Sequence, residues 1–244
     1  MARVTGWVQR RGAAVKIDLD VAQLLCSRLC HDLVGPVGAV NVGVEMLEET
    51  GRADTDAEAL AMLGRSARQV KAALALYRIA FGFGGLSEDG DIDGQLREIV
   101  DTFVGHGPVT LDWPLPEPET PGLDVVAGKL LLNMVLLGHG ALIRGGTLGI
   151  RIVDLGDDGR GLAVIATGER ARLRDELRNA ATAPVAAVAT AASIADGGVG
   201  EALTAYTVQA ALTRLLADAA GAELEVTDTG QGEVRIAALV GKSV

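Results

Sequence analysis

His31, followed directly by Asp32, is the side chain on which covalent chemistry in this sequence would turn. It sits in LCHDLVGPVGAV, Leu29 to Val40. Imidazole is neutral in good part at pH 7 and is a competent nucleophile toward phosphorus. The residues just beyond it, Gly35, Pro36 and Gly38, are odd ones for a helix. An interior glycine costs a helix about 1 kcal/mol and an interior proline about 3 kcal/mol. Cys26 and Cys30 lie just upstream, but C-x3-C-H fits neither haem attachment, which generally uses C-x2-C-H, nor a structural zinc, which takes four ligands. The other histidines, His106 and His139, are far away in sequence. The two thiols are expected to be small, half-buried residues packed in a helix bundle.

The element that must present His31 is a long amphipathic helix from about Asp20 to Glu49. Leu25, Leu29, Leu33, Val40, Val44 and Leu47 recur along it at three-, four- and seven-residue steps. At 100° per residue, His31 lies about 200° from both Leu29 and Leu33, so it points away from the stripe and into solvent. Its own face carries Leu24, Ser27, Arg28, Val34, Gly35, Gly38 and Val42. Beyond the histidine this face is small or bare, and Pro36 loosens the local ladder. An imidazole placed there has room beside it for another protein to approach. The alternative is two helices separated by a Gly-Pro turn, with His31 an ordinary surface residue.

TGRADTDAE breaks the pattern, with Asp54 or Thr55 as N-cap. A second helix runs from about Ala57 to Ala80, with Leu60, Leu63, Ala67, Val70, Leu74 and Tyr77 on one stripe. The two form an antiparallel hairpin that cannot cover its stripe on both sides. Two copies making a four-helix bundle is the economical solution, so a homodimer is expected. Arg65, Arg68, Lys71 and Arg78 make a basic stretch on the second helix: a solvated face, or an attraction for an acidic partner near the level of His31, where Lys71 and Ala72 should lie. Arg28, one turn before His31, is placed to steady a phosphoryl group.

FGFGGLSEDGD marks a boundary. Residues 1–17 read as a tail, 18–84 as the hairpin and 85–244 as a second unit. That unit has a helix near Ile92 to Val104, a strand-like PVTLDW, the Pro-rich loop PLPEPETPG and a helix at Leu123 to Ile143. Next come a hairpin, TLGIRIVDL and GLAVIATG around GDDGR, then an Ala-rich region from Asn179 to Ala195 and a helix from about Glu201 to Ala220. AELEVTD and EVRIAALV close the chain as a second hairpin. The order suggests an α+β fold, one sheet backed by a helical layer.

Composition agrees with two units. The 244 residues are 49% hydrophobic but only 3% aromatic, which gives an aliphatic core. Ten basic residues face nine acidic ones through Gly85; after it the count is twelve against twenty-three. The net charge of −10 argues against a nucleic-acid-binding surface. The start has no apolar signal segment, no run is long enough to span a membrane, and two cysteines suit a reducing compartment; a cytoplasmic protein is expected.

HDLVGP, His31 to Pro36, resembles the H-box of two-component histidine kinases: a His, an acid, a Leu, and a Pro five residues after the His. It falls on the first helix of a hairpin, where that family carries its phospho-accepting histidine. The longer SRLCHDLVGPVGAV, with ALTAYTVQAALTRLLADAAG, resembles more closely the ChpT-type histidine phosphotransferases of alphaproteobacterial phosphorelays, over most of the chain from about Asp20. The resemblance implies that His31 is phosphorylated, that Asp32 matches the acid that orients the histidine, and that Pro36 is the family proline. Gly35 stands where many kinases keep Thr or Asn to position a hydrolytic water, so phosphate should be passed on rather than lost. The second unit would be a Bergerat/GHKL-like α/β sandwich.

Its nucleotide motifs are missing. Against a kinase N-box, NMVLLGHG from Asn133 puts Leu137 where the magnesium-binding Asn belongs and Gly140 where the Lys belongs. VIATGER offers Ala166 and Arg170 for the adenine-recognising Asp and the last glycine, keeping Gly168; GGVGEALTAY replaces the glycine-rich lid. Contacts of this kind are worth about 1.5–3 kcal/mol each, so useful ATP affinity should be gone. The implied activity is a relay. His31 accepts a phosphoryl group from a receiver-domain aspartate of a hybrid histidine kinase and passes it to response-regulator receivers. Neither ATP nor a metal is bound by this chain, and Mg2+ comes with the receiver. The rivals are an active cytoplasmic histidine kinase and a dimeric scaffold that binds receivers or kinases without carrying phosphate.

Overall fold

The computed structural model describes residues 19–50, 53–82, 85–86, 91–115, 122–184 and 203–241. The tail Met1 to Ile17, most of the glycine-rich boundary, the middle of the Pro-rich loop, the replaced lid and the Ala-rich stretch beyond residue 184 lie outside the described residues. Helix α1 (Leu19–Thr50) runs unbroken through Pro36, so the Gly-Pro turn does not form. Proline has no N–H, which leaves the carbonyl of residue 32 without its helical donor. Packing along α2 (Ala53–Ala80) carries the helix past that defect.

Helix α2 begins at Ala53 rather than near Ala57. Its buried face also differs from the predicted stripe. Leu60 is 59% exposed and Leu74 is exposed too, while Ala59, Ser66, Ala73, Leu76 and Ala80 are buried; Tyr77 is the buried member of the stripe. Alanines and leucines surround most of this helix, so periodicity alone does not say which apolar side packs inward.

The rest of the chain supplies α3 (Ile92–Val104), β1 (Val109–Asp112), α4 (Val125–Gly140), β2 (Gly146–Asp154), β3 (Arg160–Thr167), α5 (Asp175–Thr182), α6 (Val208–Ala219), β4 (Glu223–Asp228) and β5 (Glu233–Val240). The five strands form one sheet in the order β1-β2-β3-β5-β4, with β1 parallel to β2 and the other pairs antiparallel. The architecture is thus the expected mixed one, a helical hairpin succeeded by a helix-backed sheet. Side chains alternate along the strands, and Leu148, Ile150, Leu162, Val164, Val234 and Ile236 are buried.

Helix α4 is apolar on nearly every side because it is packed on nearly every side. Its start is fixed by Asp124, whose side chain accepts from the Ala127 N–H at 2.8 Å. It crosses the sheet at Gly138, where a Cβ would stand 2.7 Å from Val164 Cγ1. Helix α6 starts at Val208 rather than near Glu201. The Tyr206 and Thr207 N–H groups each donate to Thr204 Oγ1 at 3.2 Å, and the Thr204 N–H donates to Thr207 Oγ1 at 3.0 Å. Those hydroxyls hold a turn in competition with the helix.

One buried cluster joins the two units. Leu76, Tyr77, Ile79 and Ala80 of α2 share it with Leu96 of α3, Leu130 of α4 and the sheet, and Leu29 and Leu33 of α1 pack against it. Polar side chains from α4 complete the junction. Lys129 Nζ donates to the Gly82 carbonyl at 2.6 Å and Asn133 Nδ2 to that of Ala80 at 2.9 Å. They satisfy carbonyls at the end of α2 that the helix itself leaves without donors. Among the described residues, no helix is long and apolar enough to cross a membrane.

Candidate active site

The site is built on the middle of α1. The His31 side chain is 79% exposed, and its Nδ1 lies 3.1 Å from Asp32 Oδ1. Asp32 is the anchored member, with 17% of its side chain exposed. Its Oδ2 accepts from Arg28 Nε at 2.7 Å and from the Tyr77 hydroxyl of α2 at 3.1 Å. Burial, then the Asp32 charge and hydrogen bond, push the Tyr77 hydroxyl well above the ordinary tyrosine range, against a smaller opposing effect of Arg28. Tyr77 therefore stays a donor. Its ring stacks on Phe81, 5.4 Å between centroids.

An imidazole whose Nδ1 faces a carboxylate carries its proton there and turns its Nε2 lone pair outward. The surface beside it is open. A Cβ at Gly35 or Gly38 would meet nothing within 4 Å, Pro36 lies within the helix, and Val34 and Val42 are exposed apolar neighbours. The structure thus brings together His31, Asp32, Gly35, Pro36 and Gly38 on one stretch of α1, with an exposed nucleophile and a bare flank.

Arg28 is placed differently from the expectation. Rather than reaching toward a phosphoryl position, its Nε holds Asp32, its Nη1 donates to the Tyr206 carbonyl at 3.3 Å, and its guanidinium lies 5.6 Å from the Tyr206 ring centroid. Arg174 lies over the same ring at 4.8 Å. From α2, the Tyr77 hydroxyl is the group that donates to Asp32. Cys26 and Cys30 are exposed, not half-buried, because their side of α1 is turned away from α2 in the single chain. No group of three or more metal-ligating side chains occurs among the described residues.

Sequence reasoning missed Tyr77 as a site residue, and it missed Tyr206 and Arg174 altogether. One signal was available: the chain has two tyrosines, and both converge here. In the second unit, Leu137 and Ala166 are buried apolar residues, Arg170 is exposed, and the Gly168 N–H donates to the Gly232 carbonyl. Asn133 is fully buried, spanning Ala80, Lys129 and Gln209. His139 packs its ring on Phe103 at 4.8 Å, and burial lowers its pKa.

Comparisons with known proteins cover most of the chain. Residues 94–232 match the model of the histidine phosphotransferase C-terminal domain family. Protein phosphotransferase ChpT of Brucella abortus (strain 2308) is 36% identical over 217 residues, spanning 87% of this chain and 92% of that protein. A solved structure described as a bacterial phosphotransferase is 29% identical with a TM-score of 0.69, and the match covers 96% of this chain and all of the other.

Proposed function

The chain belongs to the histidine phosphotransferase family, and from that premise we propose that His31 is the residue that carries the phosphoryl group. The observation that carries the reading is the exposed imidazole with Nδ1 on Asp32, which leaves Nε2 facing solvent. In the forward step the Nε2 lone pair attacks the phosphorus of a receiver aspartyl phosphate. The N–P bond forms, the P–O bond to the carboxylate breaks, and the receiver leaves with its aspartate restored. The Nδ1 proton remains on the ring, facing Asp32. The second step is the reverse displacement by the aspartate of another receiver. Geometry must be in line, and Mg2+ belongs to the receiver's acidic site, so this chain contributes positioning.

The donor in this reading is the receiver of a hybrid histidine kinase and the acceptors are response-regulator receivers. They dock on the flank made by Val34, Gly35, Gly38 and Val42. Without the N-box Asn and the adenine-recognising Asp, the second unit binds no ATP. A second copy covers the apolar face of the hairpin that includes Val37, Val44, Leu60 and Leu74, all exposed in one chain. That face lies over 100° round α1 from His31, so a homodimeric four-helix bundle leaves both histidines free. The setting is cytoplasmic, with no nucleic acid and no membrane partner.

The test is transfer from a phosphorylated receiver to the wild-type and His31→Ala proteins. Wild type should gain an acid-labile, base-stable label, and His31→Ala none. Equal labelling of both would overturn the assignment.

A further inference from the structure

Among the described residues, the turn before α6 reaches the site, where the Tyr206 carbonyl accepts from Arg28. We infer that Tyr77 and Tyr206 are positioning residues that hold His31 in its Nδ1-protonated form, acting through Asp32 and Arg28. The inference rests on His31 being the phosphoryl carrier.

A carboxylate on an exposed helix face is free to rotate, and water competes for each oxygen. Asp32 is not free. Two donors from different directions meet on its Oδ2, Arg28 Nε from one turn earlier on α1 and the Tyr77 hydroxyl from α2. With Oδ2 doubly occupied, Oδ1 is the oxygen left to accept from His31 Nδ1. Tyr77 is itself immobilised, buried and stacked on Phe81. Arg28 is held from outside the hairpin by the Tyr206 carbonyl and ring. Tyr206 is fixed in turn: Arg174 lies over the same ring, and the Thr204 hydroxyl accepts its N–H. The chain of contacts runs from the turn before α6 through Tyr206, Arg28 and Asp32 to the imidazole.

The consequence is chemical. An imidazole with no partner favours the Nε2–H tautomer, whose outward nitrogen has no lone pair to offer. A fixed acceptor at Nδ1 reverses that preference and keeps Nε2 nucleophilic. Loosening the carboxylate at either tyrosine therefore lowers the reactive fraction of His31 without touching His31 or the docking flank.

The experiment uses the full chain labelled with 15N-histidine in alkaline buffer, where imidazole is neutral. The chain has three histidines, and the His31 signals are those absent from His31→Ala. Wild type should show the Nδ1–H pattern at His31. Tyr77→Phe should shift it toward Nε2–H and slow transfer by about tenfold or more, the scale of one lost hydrogen bond to a charged group. Tyr206→Ala, which keeps the carbonyl and removes the ring over Arg28, should shift both in the same direction by less. Tyr206→Phe keeps the ring and the backbone carbonyl, so it should restore the wild-type pattern and rate. If Tyr206→Ala does not fold, Arg28→Met makes the same test from α1. Slower transfer with an unchanged tautomer, or a changed tautomer with unchanged transfer, would overturn the inference. Labelling of His31→Ala would instead overturn the reading it rests on.

Discussion

Asn133 donates its Nδ2 to the carbonyl of Ala80 at 2.9 Å, tying the middle of α4 to the last residue of α2. At the position where resemblance to a kinase begins the N-box, this asparagine is fully buried and structural. It also donates to the Lys129 carbonyl, and its Oδ1 accepts from Gln209 Nε2. Asn133→Ala strips the Ala80 carbonyl of its donor in a site without solvent. We expect a loss of about 2–3 kcal/mol, read as a lower urea midpoint with an unchanged slope. An unchanged midpoint would show that the junction does not depend on this side chain.

The bare flank beside His31 makes its own prediction. A Cβ at Gly38 enters open space, so Gly38→Ala should raise stability by about 1 kcal/mol through helix propensity and leave transfer intact. Gly38→Phe should fold equally well yet slow transfer, because the ring occupies the approach of the receiver. Stopped-flow or gel-based transfer rates measured beside thermal melts separate the two effects. Equal transfer rates for both variants would move the docking surface elsewhere.

Dimer formation through the exposed hairpin face is checked by sedimentation. Wild type should sediment as a dimer, and Val37→Glu combined with Leu74→Glu as a monomer, because each substitution sets a charge in the apolar layer. A monomeric wild type would show that this face has another use.

Acid should weaken the second unit in a defined window. Burial lowers the His139 pKa below its ordinary value near 6.5, so between the two values the unfolded chain binds the extra proton. Stability contributed by neutral His139 is therefore complete above about pH 6.5 and falls as pH drops through that value. His139→Leu should flatten the pH dependence of the urea midpoint across this range. An identical slope in wild type and variant would assign the acid sensitivity to other groups.

The sequence was most readable where local rules act alone. Helix α3 has its Asp91 cap and a single apolar stripe, and the two β-hairpins have alternation around glycine turns; each element lies within a residue or two of its predicted span. The exposure of His31 was also legible from angle alone, since one amphipathic stripe fixes a helix's rotation. What failed depended on partners distant in sequence. The buried side of α2 is chosen by α1, α3 and α4, which periodicity cannot see in a helix whose alanines and leucines are spread round it. Tyr77 reads as one more apolar residue until α1 brings Asp32 within 3.1 Å. Tyr206 lies 178 residues from the Arg28 it holds, in a turn that threonine hydroxyls cut from a helix-like sequence.

The most direct test of the central claim is to track the phosphoryl group itself. The wild-type protein is incubated either with ATP and Mg2+ alone or with a phosphorylated receiver domain, and the labelled residue is mapped by mass spectrometry under neutral conditions. The protein should take no label from ATP and carry a single phosphohistidine at His31 from the receiver. Label arriving from ATP alone, or label on any residue other than His31, would contradict it.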